Sequence, residues 1–382
     1  MSQNGLNSAS GASSGASQDG LRSASGASQD GLRSASGANL FRDALSRRNA
    51  GRPPVWFMRQ AGRYHSHYQK LRARHSFMDL CKRPEIACEA TMGPVEDFGF
   101  DAAILFSDLL FPLEAMGMGL RYEPGPKLDW HLDAPSALKK LGFGAALAKD
   151  LDFQGQAIRL IRERLDSSKG LLGFVGGPLT LYSYAVEGSH HGKLASARAG
   201  FRDGRFKGFC TKLTGLLAAN MALQAEAGVD TVAVLDTCAG EFGVEAFRDY
   251  ALPALKAVLA EFRSRCPGVP LVYYSKGTGP AHWSMLADLP IEGIGIDWNH
   301  KLADVLTEFG GRFAIQGNVD PEWLFLDARE LHTRLRNVFT GILRLPQQAR
   351  KGWICGLGHG VLPGTPEENV KLFLKLQREV FT

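Results

Sequence analysis

The chain has 382 residues, 45% of them hydrophobic and 22% charged, and carries a formal net charge of +5, a profile expected of a soluble globular protein. No apolar run reaches membrane-spanning length, and the N-terminus lacks the charged-then-apolar pattern of a secretion signal. The mild positive balance, without a Lys/Arg-rich block interleaved with aromatics, excludes nucleic acid as the expected partner and leaves a small anionic ligand.

Residues 1–38 are a different material from the rest. Ser, Gly and Ala dominate, and Ala16–Gly26 is repeated letter for letter as Ala27–Gly37 (ASQDGLRSASG). Such a segment buries too little apolar surface to offset its ordering entropy, so a disordered tail is expected, with a transit peptide as the weaker alternative. The segment's charges are Arg22, Arg33, Asp19 and Asp30. The positive excess therefore belongs to residues 39–382.

From Asn39 onward, short apolar runs alternate with helix-like stretches. The runs are Val55–Met58, Ala102–Phe106, Leu171–Val175, Thr231–Leu235, Leu271–Tyr274, Gly293–Ile296, Phe313–Ile315 and Trp353–Cys355. Helical periodicity fills the intervals, as in Lys207–Ala227, Val244–Arg265 and Leu302–Phe309. Eight strands alternating with helices predict an α/β fold, a single (β/α)8 TIM-type barrel over 39–382, with an open doubly wound sheet as the competing architecture. Polar residues or Gly follow most runs: Arg59 and Arg63, Ser107 and Asp108, Gly176 and Gly177, Asp236 and Thr237, Ser275 and Lys276, Asp297, Gln316-Gly317-Asn318, and His359. In a barrel the strand C-termini share one face, and that face carries the active site.

Along that face the chemistry starts at Arg59-Gln60-Ala61-Gly62-Arg63-Tyr64. Two guanidiniums four residues apart, with Ala61 and Gly62 letting the backbone come close, form a clamp for a ligand with more than one acid group. Asp108 is followed by Leu109, Leu110 and Phe111, so a partly buried carboxylate facing the arginines is expected, ionised and able to hold a cation or N–H donors. His359 lies in Gly356-Leu357-Gly358-His359-Gly360. The spacing is G-x-G-x-G, with the next helix expected only at a capping box Thr365-Pro366-Glu367-Glu368, and too little chain follows for a dinucleotide domain. His359 therefore reads as a ligand donor on a loop. Lys276 at the end of a strand is a Schiff-base candidate, with simple anion binding or solvation the plainer reading. His65, His67 and His75 suit a solvated helix face, and His190 and His191 an exposed loop. The six cysteines form no Cys-x-x-Cys pair, so free thiols in a reducing cytoplasm are expected. Cys355 and His359, four apart, lack companion ligands for zinc, and no metal is expected.

Six segments in order carry a resemblance. They are Trp56–Tyr64, Phe106-Ser107-Asp108, Tyr184-Ala185-Val186-Glu187-Gly188, Gly295-Ile296-Asp297-Trp298, Gln316–Pro321 and Leu357-Gly358-His359-Gly360. Together they resemble the uroporphyrinogen decarboxylase family from about Asn39 to the C-terminus. The resemblance implies a single barrel without metal or cofactor, working as a cytoplasmic homodimer. The implied reaction removes carboxyl groups from the four acetate side chains of uroporphyrinogen III, an anionic tetrapyrrole, to give coproporphyrinogen III. It implies that Arg59, Gln60, Ala61, Gly62 and Arg63 bind substrate, that Asp108 holds the pyrrole N–H groups, and that Tyr184, Thr237 and His359 complete the shell. Asp108 and Arg59 are the implied catalytic pair. Three positions depart from the family pattern: Asp236-Thr237 in place of Asp/Glu-Ser, Leu179 in place of Trp, and Gly356 in place of Asn. Rival readings are a superfamily methyltransferase, whose zinc-binding His-x-Cys is replaced here by Tyr274-Ser275-Lys276, a Schiff-base lyase on Lys276, and a non-enzymatic tetrapyrrole carrier.

Overall fold

The computed structural model describes residues 39–189 and 192–382; the expectations for residues 1–38 and for His190 and His191 lie outside the described residues. Strand β1 (Ala102–Ile104) is followed by a short antiparallel hairpin, β2 (Arg121–Tyr122) and β3 (Pro126–Lys127). Six strands follow: β4 (Gly170–Gly176), β5 (Thr231–Leu235), β6 (Leu271–Tyr274), β7 (Gly293–Gly295), β8 (Ala314–Val319) and β9 (Trp353–Leu357). The hairpin aside, they form one parallel sheet in the order β1-β4-β5-β6-β7-β8-β9. Every residue of these seven strands is buried, as a parallel sheet covered on both faces requires.

The eighth position of the barrel is filled by the run Val55–Met58, which was expected as a full strand and pairs through a single parallel bridge, Val55 to Cys355. On the β9 side, Trp56 N–H donates to Cys355 O (3.1 Å) and Cys355 N–H to Pro54 O (2.9 Å). On the β1 side, side chains take over much of the ladder. Val55 N–H donates to the Asp101 carboxylate (2.8 Å), which Arg52 grips with two nitrogens, while Asp101 N–H donates to Val55 O (3.0 Å). Pro53 and Pro54 supply no N–H, so regular pairing cannot extend toward the N-terminus.

Gln60 completes the closure. Its side-chain oxygen accepts from Phe57 N–H (3.4 Å) and its nitrogen donates to Ala102 O (3.0 Å). The buried amide thus acts as a peptide unit inserted between two strands. Gln60→Leu leaves a buried N–H and a buried carbonyl unpaired, so it is expected to lower the unfolding free energy by about 2–4 kcal/mol. Denaturant titration checks this, and an unchanged midpoint would remove Gln60 from the seam.

Helices form the outer layer. The expected helix over Lys207–Ala227 spans Arg205–Glu226, and Leu302–Phe309 is found with the expected bounds. The stretch Val244–Arg265 is not one uniform helix: a short α-turn (Gly243–Ala246) leads through a π-turn (Phe247–Ala251) into Leu252–Arg265. Pro253 removes an N–H from the ladder, and the turn before it widens. Gln316, Gly317 and Asn318, expected in a loop, lie inside β8. They stay buried because their amides are used: Gln316 donates to Leu357 O, and Asn318 to Asp297 O and His300 O. The capping box at Thr365 does not form. Thr365 donates to Leu362 O, and the helix Glu367–Val380 starts without a side-chain cap. Glu367 instead accepts Ser66 N–H at the start of the helix Ser66–Arg72 (2.6 Å), pinning that helix to the C-terminal one.

Candidate active site

Many of the polar residues at the strand C-termini are consumed by the fold. Asp236, buried after β5, accepts Thr180 N–H (2.7 Å) in the first turn of the helix Pro178–Glu187, and Tyr273 donates its hydroxyl to it (3.2 Å). Asp297 accepts from Gly277 N–H and Asn299 N–H. Ser275 and Thr278 share a hydroxyl bond. Asp236 and Asp297 act as loop staples.

The exceptions sit together. Arg59 is exposed, and its guanidinium makes no ion pair or hydrogen bond with the described residues. Its φ is +58°, the left-handed region that a side chain enters only under constraint. The constraint is visible: Met58 O accepts Val361 N–H (2.9 Å), tying the clamp to the loop after β9, and the Arg59 stem lies over Gly360, where a Cβ would collide with it. A Cβ at Gly356 would likewise strike Trp56 O. The glycine motif is thus a surface of close approach between two loops, and at Gly356 the Asn of the family pattern has no room unless the Val55–Met58 segment shifts. Gly62 and Ala61 are half-buried, and Arg63 is exposed near Tyr68.

Asp108 ends the segment leaving β1 and is half-buried. One oxygen accepts Leu110 N–H (2.9 Å). Burial pushes its pKa above the usual carboxylate range, opposed by the Tyr122 hydroxyl, the Leu110 N–H and the Arg59 charge. Tyr184 lies on the helix Pro178–Glu187, half-buried, with its phenol pushed up to about 12 by burial and by the Asp108 charge, and Arg59 pulling the other way. His359 is half-buried between Tyr274 and Trp298, ring centres 6.2 and 6.4 Å away. Tyr274, which donates to Gly358 O (2.9 Å), also feels the charge of Arg59. Arg59, Asp108, Tyr184 and His359 therefore surround one region. Thr237 is half-buried at the end of β5, beside Cys238, whose thiol meets Ser183 on the Tyr184 helix. Gln60 is different: its side-chain amide lies in the barrel seam, its N–H donates to Phe57 O and its carbonyl accepts from Tyr64 (2.7 Å).

Two other readings change. His65 is wholly buried, with Nε2 2.8 Å from Asp97, its ring stacked on Tyr64 and packed on Phe98. The chain turns inward at Tyr64, so the solvated face expected there begins later; His67 is half-buried over Gly93. Lys276 is exposed, with its ammonium 5.5 Å from the centre of the Trp298 ring, a setting for anion attraction rather than for a desolvated amine nucleophile. Sequence reasoning missed Tyr122, which faces Asp108 from the hairpin. Nothing in its local pattern marks it, because the hairpin strands are two residues each. Among the described residues no three of His, Cys, Asp and Glu gather as metal ligands, and all six cysteines are buried and unpaired.

Residues 37–380 match the model of the uroporphyrinogen decarboxylase family. A uroporphyrinogen decarboxylase from Pelodictyon phaeoclathratiforme is 33% identical over 345 residues, covering 89% of this chain and 97% of that protein. One from Vesicomyosocius okutanii is 34% identical over 336 residues, covering 87% and 95%. In fold, the chain is similar to a methyltransferase from Methanosarcina mazei, with a TM-score of 0.71 at 21% identity over 91% of this chain and 100% of that one. A B12-independent methionine synthase from Shewanella gives a TM-score of 0.51 at 9% identity, over 87% and 97%. The last two speak to the barrel alone. With the ordered motifs, the closed parallel sheet and relatives matched over nearly their whole length, the chain belongs to the uroporphyrinogen decarboxylase family.

Proposed function

We infer that this protein is a carboxy-lyase that decarboxylates the acetate side chains of uroporphyrinogen III to coproporphyrinogen III in tetrapyrrole biosynthesis, with the barrel 39–382 as the working unit. The observation that carries this reading is the meeting of unlike charges at one barrel mouth: the Arg59 guanidinium, which pairs with none of the described residues, and the Asp108 carboxylate. A porphyrinogen is anionic at its carboxylate rim and offers N–H donors at its centre. The arginines suit the rim; Asp108 suits the centre.

Decarboxylation leaves an electron pair that needs a sink. A pyrrole protonated on ring carbon is cationic and can take that pair as the bond to the carboxyl carbon breaks and CO2 leaves; protonation of the resulting exocyclic carbon and loss of the ring-carbon proton then give the methyl group and restore the aromatic pyrrole, one proton being taken up in all. Ionised Asp108, held in place by Leu110 N–H, stabilises the cation electrostatically. Arg59 and Arg63 orient acetates and propionates, and Arg59 relays a proton through bound water or the substrate carboxylate, since the guanidinium itself is too weak an acid. Tyr184, Thr237 and His359 supply further hydrogen bonds to the macrocycle, while Gln60 acts by holding the clamp's backbone. The same reading makes the protein a cytoplasmic homodimer, a state sedimentation measures directly. No described helix is long and apolar enough to cross a membrane.

Anaerobic incubation with uroporphyrinogen III, followed by separation of products by carboxylate number, is expected to yield coproporphyrinogen III. Recovery of the unchanged octacarboxylate alone would overturn the reading.

A further inference from the structure

Tyr122 presents a buried hydroxyl that completes no well-formed hydrogen bond within the described chain, yet lies near enough to the Asp108 carboxylate to act on it as a donor. Such a group is costly to leave unmade, and natural structures keep one where a ligand or a second state completes it. Its ring is fixed by packing against Phe77, centres 4.4 Å apart and inclined at 48°, so the hydroxyl is not free to search for another partner. The group it faces is Asp108. Leu110 N–H occupies one carboxylate oxygen of Asp108, and Tyr122 and Arg59 are both close enough to oppose the effect of its burial.

We propose that Tyr122 is a positioning residue for the reaction, its phenol donating to the Asp108 oxygen not taken by Leu110 and holding that carboxylate aimed at the centre of the bound macrocycle. A phenol suits the task because it keeps its proton. Burial and the neighbouring Asp108 charge both push the Tyr122 pKa upward, so it stays a donor throughout the working range. The other titratable or charged groups that sense Asp108 are Arg59 from the clamp, Tyr184 from the helix Pro178–Glu187, and the buried Cys81 from the helix Phe77–Lys82. Of these, Arg59 alone carries a formal charge at neutral pH, and it is exposed and committed to the substrate rim. Tyr122 is therefore the enclosed donor that offsets the burial of Asp108.

Tyr122→Phe tests this, because it deletes the oxygen and keeps the ring against Phe77. Without the donor, burial raises the Asp108 pKa further. The acidic limb of the kcat/KM profile is then expected to move upward by roughly one pH unit, an about tenfold loss on the acid side that shrinks toward alkaline pH. KM changes little, since Tyr122 does not grip the carboxylate rim. An unmoved acidic limb overturns the proposal, as does a uniform loss at every pH or a variant that fails to fold. The role rests on the decarboxylase reading, so a second arm needs no turnover. In protein labelled with 13C at the Asp side-chain carboxyl, with Asp108→Asn identifying the signal, the Asp108 midpoint is expected to rise by about one unit in Tyr122→Phe. Equal midpoints overturn the proposal even where wild-type protein proves inactive on uroporphyrinogen; a raised midpoint supports the bond from Tyr122 to Asp108 whether or not that reading stands, and the shifted acidic limb then ties the bond to turnover.

Discussion

Asp108→Asn is expected to lower kcat on uroporphyrinogen by about 10³-fold or more, the scale on which removing one preorganised electrostatic group acts, while leaving the protein at least as stable as the wild type at neutral pH. The two halves follow from one fact. Burial raises the Asp108 pKa in the folded protein, so holding the carboxylate ionised there costs folding free energy above that raised pKa. Asn keeps the acceptor for Leu110 N–H and carries no charge, so the cost disappears. As pH falls through the folded pKa, the wild type takes up a proton and sheds the same cost. The stability advantage of the variant is thus largest at neutral pH and vanishes on acidification. Activity runs the other way: in the wild type it needs the ionised form and falls as pH drops through that raised pKa. Thermal melts and kcat profiles across pH read both trends. Near-normal turnover in Asp108→Asn would take the carboxylate out of the mechanism, and a variant markedly less stable at neutral pH would make Asp108 a structural residue.

The strands and the clamp were legible because each rests on local chemistry. Buried parallel strands read as apolar runs whatever surrounds them, which is why Thr231–Leu235 and Leu271–Tyr274 were found with their bounds. The seam of the barrel was not legible. Val55–Met58 has the composition of a strand, yet two prolines, Asp101 and Gln60 decide that it pairs through one bridge, and those partners lie up to 46 residues away in the chain. The same limit applied at the site. Arg59, Asp108 and His359 announce themselves by following a strand, but nothing local distinguishes them from Asp236 or Asp297, which follow strands equally and are spent on loop hydrogen bonds. Separating site from staple requires knowing where the partners of each carboxylate are. Gln60 illustrates this from inside a motif: a residue among the implied substrate contacts turns its amide into the wall. His65 and Tyr122 were hidden for the opposite reason, since a turn of the chain at Tyr64 and a hairpin of two-residue strands bury side chains that no periodicity predicts.

The clamp itself supports the second large effect. Arg59→Gly is expected to cost about 10²–10³-fold in kcat/KM and nothing in stability. A non-glycine residue at φ +58° carries strain of roughly 1 kcal/mol or more, and Gly occupies that region freely, so the strain is relieved as the side chain goes. The stem's contact with Gly360 is lost, but the guanidinium itself has no partner among the described residues whose loss could weaken the fold. A protein keeps such strain where function needs the side chain aimed, and here the aim is across the barrel mouth toward Asp108 and Tyr184. Arg59→Lys separates charge from geometry. It keeps the charge and loses the two-pronged grip, so it is expected to recover only part of the activity, about tenfold or more below wild type. If both variants turn over uroporphyrinogen normally, the clamp is not at Arg59. If Arg59→Gly is inactive but also unfolds early, the left-handed backbone at this position was set by packing rather than by the substrate. A stable, inactive Arg59→Gly together with a partly active Arg59→Lys is the result that the geometry of the clamp requires.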